Sequence, residues 1–243
     1  MTTLRAAFTG RPFLCIIIGM EKRLIDKSGI YLISQKTSPS KVVIMSHGLA
    51  DNHEAALIDS ISKTLYNCGV GVVVYDFSFT KNKSQPSDGI SKEVADLQHV
   101  ISTVKSIINP SEVSLAGKSL GGIVSAIYCS SSTGQDVRNL IIVGFPFKLG
   151  FPPNFMLLKE ENPILPDYKS EYKNLFQKIK TPTLIIQGDQ DDLGEIEECK
   201  DFLKNYANCS LEVVGGATHG FVSRKDKNVT YYDKCAGLIT NKI

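Results

Sequence analysis

Six short apolar runs punctuate the chain: Val42 to Met45, Val70 to Tyr75, Val113 to Ala116, Leu140 to Val143, Thr183 to Ile186 and Leu211 to Val214. Each is continuous rather than alternating. A strand reads this way when helices cover both faces of its pleat, as in a mainly parallel sheet. Between the runs lie segments of helical period. From Ser91 to Ile108, the residues Val94, Leu97, Ile101, Val104 and Ile108 recur at spacings of three and four, and Pro110 closes the segment. A second segment runs from Glu54 to Asn67, with Leu57, Ile58, Ile61 and Leu65 on one face and Gly69 as its stop, and a third from Glu195 to Tyr206. Strand and helix thus alternate from about residue 41 onward, which predicts an α/β fold: a doubly wound, mostly parallel sheet flanked by helices. Ligands of such sheets sit at the carboxyl ends of the strands. Upstream, Phe13 to Ile18 and Ile30 to Ser34 flank the turn-rich stretch Asp26 to Gly29 and are expected to pair as an antiparallel hairpin at one sheet edge.

Composition narrows the picture without redirecting it. With 243 residues, 42% hydrophobic and 21% charged, the chain can bury one sizeable core, so a single domain over residues 1–243 is expected. Lys and Arg number 27 against 25 for Asp and Glu, and no long basic run occurs; nucleic acid is not an expected partner. Cys15, Cys68, Cys129, Cys199, Cys209 and Cys235 are widely spaced, without C-x-x-C or a Cys/His cluster of zinc spacing. They read as reduced thiols of a cytoplasmic protein, with no metal. The run Phe13 to Gly19 follows Arg5 and Arg11, but it is short and Glu21 follows at once. It is read as a first strand rather than a secretory leader. No stretch approaches the ~20 apolar residues of a membrane span, so no membrane association is expected.

The chemistry begins at Gly117-Lys118-Ser119-Leu120-Gly121, directly after the Val113 to Ala116 strand and before the helix-compatible Gly122 to Cys129. The pattern is G-x-S-x-G, in which the serine occupies a strained strand-to-helix turn that needs glycine-sized neighbours. The Leu120 N–H at the helix start then suits an oxyanion. Gly117-Lys118-Ser119 also looks like the end of a phosphate-binding loop, but the glycine required five positions earlier is Glu112, whose carboxylate would repel phosphate.

A serine hydroxyl needs a base and an orienting carboxylate, which should follow in the order serine, acid, histidine. Gly188-Asp189-Gln190-Asp191-Asp192 follows the Thr183 to Ile186 strand, and His219 follows the Leu211 to Val214 strand. Of four histidines, His219 alone stands on a suitable loop; His99 falls within a helix and reads as a surface residue, and His53 reads as exposed or at a pocket mouth. Asp191 is favoured as the acid, with Asp189 and Asp192 as competitors, the latter a plausible helix cap. The loop after the first parallel strand, Ser46-His47-Gly48-Leu49-Ala50, should supply a second oxyanion donor, and Leu49 N–H is the candidate. His47 reads as a structural histidine in a tight turn.

Together, His47-Gly48, Tyr75-Asp76-Phe77, Gly117-Lys118-Ser119-Leu120-Gly121-Gly122, Pro182 to Gly188 with Asp191, and His219-Gly220-Phe221 resemble the α/β-hydrolase superfamily. The resemblance is to its small dienelactone-hydrolase-related branch, and within that to α/β-hydrolase-like proteins related to a chromatin-complex subunit. It implies serine hydrolase chemistry without metal or organic cofactor. Dienelactone hydrolases proper use a cysteine nucleophile where this chain has Ser119, which argues against lactone opening of that kind.

The connection from about Phe145 to Phe176 is long for a link between strands and rich in Phe, Leu and Pro. It is expected to form a short cap after the sixth strand, favouring an apolar acyl group or small aromatic ester. Phe145, Lys118 and Phe221 are expected to contact substrate. The reading is a hydrolase of small carboxylic esters or thioesters, with Ser119 as nucleophile, His219 as base and Asp191 as its orienter. The alternatives are a non-catalytic protein-interaction scaffold on the same fold, or a serine peptidase acting on small peptides.

Overall fold

The computed structural model describes residues 20, 22–148 and 168–243. The expected strand Phe13 to Ile18, Cys15 and the middle of the expected cap lie outside the described residues.

The strands are β1 (Lys22–Asp26), β2 (Ile30–Ile33), β3 (Lys41–Ser46), β4 (Gly71–Tyr75), β5 (Glu112–Lys118), β6 (Leu140–Val143), β7 (Thr183–Gly188) and β8 (Cys209–Val214). They form one sheet in the order β1-β2-β4-β3-β5-β6-β7-β8. From β4 to β8 every pairing is parallel. The helices are α1 (Ala56–Asn67), α2 (Ser78–Lys81), α3 (Ser91–Ile107), α4 (Leu120–Ser130), α5 (Tyr168–Phe176), α6 (Ile196–Leu203) and α7 (Tyr232–Thr240).

The continuous apolar runs divide by strand period into two cores. In β3, Val42 and Ile44 point to one face and Val43 and Met45 to the other. On the first face, Leu97, Ile101 and Val104 of α3, Ile123 of α4, Phe176 of α5 and Leu203 of α6 are buried. On the second, Leu57, Ile58, Ile61 and Leu65 of α1 meet Cys235, Ala236 and Ile239 of α7. Chain order reverses direction between β3 and β5, and the crevice at such a reversal is where α/β sheets place their sites. Ser119 stands there, immediately after β5.

The edge hairpin differs from expectation. The antiparallel partner of β2 is β1, not Phe13 to Ile18, and the other side of β2 is taken by β4. A two-stranded connection through Asp26 to Gly29 forces this pairing: Gly29 N–H donates to Asp26 O at 3.0 Å and Gly29 adopts φ +84°. β1 is half solvent-facing, with Leu24 exposed, so its sequence lacks the apolar continuity that marks the inner strands. Cys68, Cys129, Cys199, Cys209 and Cys235 are free thiols. Among the described residues no helix is long and apolar enough to cross a membrane, and no cluster of His, Cys, Asp and Glu is placed to hold a metal ion.

Candidate active site

The turn from β5 into α4 is dictated by backbone crowding. Ser119 takes φ 50° and ψ −113°, a conformation costly for a residue with a side chain. A Cβ on Gly117 would lie 2.2 Å from Gly121 O, and one on Gly121 would lie 2.3 Å from Ser46 O. Only glycine permits either approach, so the motif glycines are required by the contact of the turn with itself and with β3. The Ser119 N–H donates to Val143 O at 3.0 Å, tying the turn to β6. Ser119 Oγ is thereby raised above the sheet at the first turn of α4.

The loop after β8 carries His219 at its tip. Thr218 N–H donates to Val222 O at 3.0 Å and Phe221 N–H to Thr218 O at 2.9 Å, closing the loop at its base. The loop after β7 lies against it: a Cβ on Gly188 would sit 2.2 Å from Ala217 O, and Gln190 N–H donates to that carbonyl at 2.9 Å. His219 Nδ1 is 2.8 Å from Asp191 Oδ2, and His219 Nε2 is 2.9 Å from Ser119 Oγ. A carboxylate only accepts, so Nδ1 carries the proton and Nε2 is left to accept the serine O–H. The Asp191 side chain is fully buried, while that of His219 is one quarter exposed. The geometry therefore holds a hydroxyl, a correctly tautomerised imidazole and a buried carboxylate in one hydrogen-bonded line, which can accept a proton from Ser119 and return it.

The three clustered aspartates occupy three different environments. Asp191 meets His219; its other oxygen accepts the Leu193 N–H at 2.9 Å. Asp189 accepts the Gly216 N–H at 2.6 Å and fixes the turn leading to the histidine loop. Asp192 is exposed and pairs with Arg224 at 2.7 Å. It does not cap a helix, because α6 begins later, after Glu195.

Leu49 lies half-buried in the turn after β3, where Asp51 N–H donates to Gly48 O. Leu120 is the first residue of α4, so its N–H has no intrahelical acceptor. His47 is fully buried: its Nε2 accepts the Phe77 N–H at 3.1 Å, and Nδ1 faces Gly48 O at 2.7 Å. Burial holds its pKa below the ordinary 6.5. It joins β3 to the chain after β4. His99 is exposed, as expected, with Nε2 3.3 Å from Ser28 Oγ. His53, expected at the surface or a pocket mouth, is half-buried beside Asp76, stacks on Tyr31 and lines a cavity with Met20, Lys22 and Ile33.

Of the three residues expected to touch substrate, Phe145 and Phe221 are packed into the core and Lys118 reaches the His219 side of the site. Phe145 is fully buried in an aromatic cluster, 4.5 Å from the Phe147 ring and 4.8 Å from Tyr172. Phe221 is fully buried beneath the histidine loop at φ 56°. Phe145 follows shortly after β6, whereas Phe221 closes the His219 loop beyond β8. Lys118 is 7% exposed, and burial, opposed by the charges of Asp191 and Asp51, pushes its pKa down to about 8. Its Nζ comes to the side of Gly144 that also faces His219. Gln187, which ends the apolar run Thr183 to Ile186 and enters the sequence reading only as part of the Pro182 to Gly188 motif, contacts Asp191 through its amide.

An alpha/beta hydrolase domain family matches residues 39–242. No curated protein matches the sequence. Among solved structures, Est1E from Butyrivibrio proteoclasticus is similar with a TM-score of 0.65 at 19% identity, covering 87% of this chain and 91% of that one. An alpha-beta serine hydrolase homologue from Coxiella burnetii gives 0.64 at 22% identity, covering 92% and 97%. A dienelactone hydrolase from Anabaena variabilis gives 0.65 at 14%, covering 92% and 94%. At these identities the likeness is one of fold.

Proposed function

Since this chain belongs to the α/β-hydrolase domain family, we propose that it is a serine hydrolase that cleaves small carboxylic esters or thioesters through an acyl-enzyme on Ser119. The observation that carries the proposal is the relay itself, with 2.9 Å from Ser119 Oγ to His219 Nε2 and 2.8 Å from His219 Nδ1 to Asp191 Oδ2. Ser119 Oγ attacks the carbonyl carbon while Nε2 takes its proton; the imidazolium then protonates the leaving alcohol or thiol. Water, deprotonated by the same nitrogen, releases the acid. Asp191 keeps the ring in the productive tautomer and stabilises its charged form. The N–H groups of Leu120 and Leu49 receive the developing oxyanion.

Residues 1–243 act in this proposal as one hydrolase domain, with the segment 145–176 as its cap. The aromatic cluster of Phe145, Phe147, Tyr172 and Phe176 roots both ends of that segment in the core, which supports an apolar enclosure and hence an acyl or small aromatic ester. The names of the structural neighbours, which include an esterase and a thioesterase domain, favour the same bond types. The free thiols suit a reducing, cytoplasmic setting.

A series of p-nitrophenyl esters of increasing chain length, run with a matched thioester and a peptide amide, tests the reading. Ester and thioester turnover by the wild type, lost on the order of 10⁴-fold or more in Ser119→Ala, is expected. Equal rates for the two proteins would remove the enzyme reading, and preferential amide cleavage would make it a peptidase.

A further inference from the structure

Gln187 is the last side chain of β7 before the glycine that opens the acid loop, and it is fully buried. Its Oε1 accepts the Phe145 N–H at 2.8 Å. Its Nε2 donates to Asp191 Oδ2 at 2.7 Å and to Gly194 O at 3.2 Å, with Phe145 O at 3.3 Å. The amide can sit only one way round. Turned over, its oxygen would face a carboxylate and two carbonyls while its N–H groups faced a backbone donor. The fit is tight, since a Cβ on Gly194 would fall 2.5 Å from Nε2.

The oxygen that Gln187 holds is the one that His219 uses. Asp191 Oδ2 thus receives two donors, the amide and Nδ1, while Oδ1 receives the Leu193 N–H. With only the Leu193 bond the carboxylate could swing about that contact; the amide removes this freedom. We infer that Gln187 is the positioning residue of the acid, a buried amide that aims Asp191 at His219 and anchors it to the chain leaving β6. This rests on the reading of Ser119, His219 and Asp191 as a catalytic relay. A small misplacement of such a relay lowers turnover on the order of 10²-fold.

Two near-isosteric variants separate positioning from packing. Gln187→Met fills the space but cannot donate; kcat is expected to fall about 10²-fold with KM changed less than about threefold. Gln187→Glu keeps the acceptor for Phe145 N–H and brings a second carboxyl against Asp191. Two carboxyls at that distance share one proton. While the proton is shared, Glu at 187 donates to Asp191 as the amide did; once it leaves, repulsion displaces the acid. The other titratable groups around the pair are His219, Lys118 from β5 and Cys199 from α6. Gln187→Glu should therefore be active only while His219 is neutral and the carboxyl pair keeps its shared proton, so that kcat falls at higher pH along a limb absent from the wild type and from Gln187→Met.

A second readout does not depend on turnover: the low-field proton resonance of the His219 Nδ1–H bonded to Asp191, recorded on folded wild type, Ser119→Ala and both Gln187 variants. It should be present in wild type and Ser119→Ala and weakened or lost in Gln187→Met. Variants with wild-type kcat and pH profile, or an unchanged resonance in Gln187→Met, would overturn the inference. If the wild type hydrolyses nothing, the hydrolase reading fails, and the resonance alone still decides the role of Gln187.

Discussion

Asparagine scanning of the acid loop tests whether the three neighbouring aspartates divide their work as their contacts indicate. In Asp191→Asn, Oδ1 is held by the Leu193 N–H, so the new amide nitrogen takes the place of Oδ2. There it meets the Gln187 Nε2 donor and His219 Nδ1. Nδ1 must then accept, which moves the ring proton to Nε2 and points it at Ser119, the wrong tautomer for a base. A tautomer error of this kind costs on the order of 10⁴ in kcat, or about 5.5 kcal/mol of transition-state stabilisation. In Asp189→Asn the side-chain oxygen can still accept the Gly216 N–H, so kcat/KM should stay within about threefold. Asp192 is 81% exposed and its pair with Arg224 is solvent-screened, so Asp192→Asn should change kcat/KM by less than about twofold. The assay is p-nitrophenyl ester hydrolysis across all three variants, with circular dichroism as the check on folding. A fall in Asp189→Asn or Asp192→Asn comparable to that in Asp191→Asn would refute the assignment, as would Asp191→Asn within tenfold of wild type.

Other perturbations follow from the same contacts. The Lys118 ammonium, ordinarily titrating at 10.5, is pushed down to about 8 by burial, so between those values the unfolded chain binds a proton that the folded chain releases. Stability should then rise with pH across that window. Lys118→Met should raise stability at pH 7 by on the order of 3 kcal/mol and flatten that slope in urea titrations; no gain at pH 7 would contradict this. Burial lowers the His47 pKa below 6.5, so the unfolded chain gains the proton first as pH falls through 6.5 and wild-type stability declines there. His47→Gln should show a shallower acid decline in thermal melts. In Gly121→Ala the new methyl would lie 2.3 Å from Ser46 O and 2.6 Å from His47 O, both backbone atoms. The variant should lose at least about 3 kcal/mol together with ester turnover; a wild-type melting curve would show that the turn can yield.

What the sequence made legible follows from what buries it. β3 to β7 and helices α1, α3 and α6 could be read because both faces of the sheet are covered there, so Val, Ile and Leu run on or recur at helical period, whereas β8, at the edge, alternates with exposed Ser210 and Glu212. β1 could not, because Arg23 and Leu24 face solvent at an edge, and no apolar pattern survives there. Ser119 and His219 each stand alone on a suitable loop and were readable from spacing. Asp189, Asp191 and Asp192 share one loop, and only the contact of that loop with Ala217 shows which carboxylate faces the imidazole. An aromatic residue beside a site reads alike whether its ring faces the pocket or the core, and only the fold shows the Phe145 and Phe221 rings to be fully buried. The contacts of Gln187 emerge only in the fold: Phe145 lies 42 residues away, and Asp191, although four residues on, is reached around the turn that ends β7.

The relay is tested most directly by reaction with a fluorophosphonate probe, followed by intact mass and peptide mapping. Wild type should gain one phosphonyl group, on Ser119, with labelling abolished in Ser119→Ala and slowed in His219→Ala. A folded wild type that stays unlabelled, or a Ser119→Ala variant that labels equally well, would contradict it.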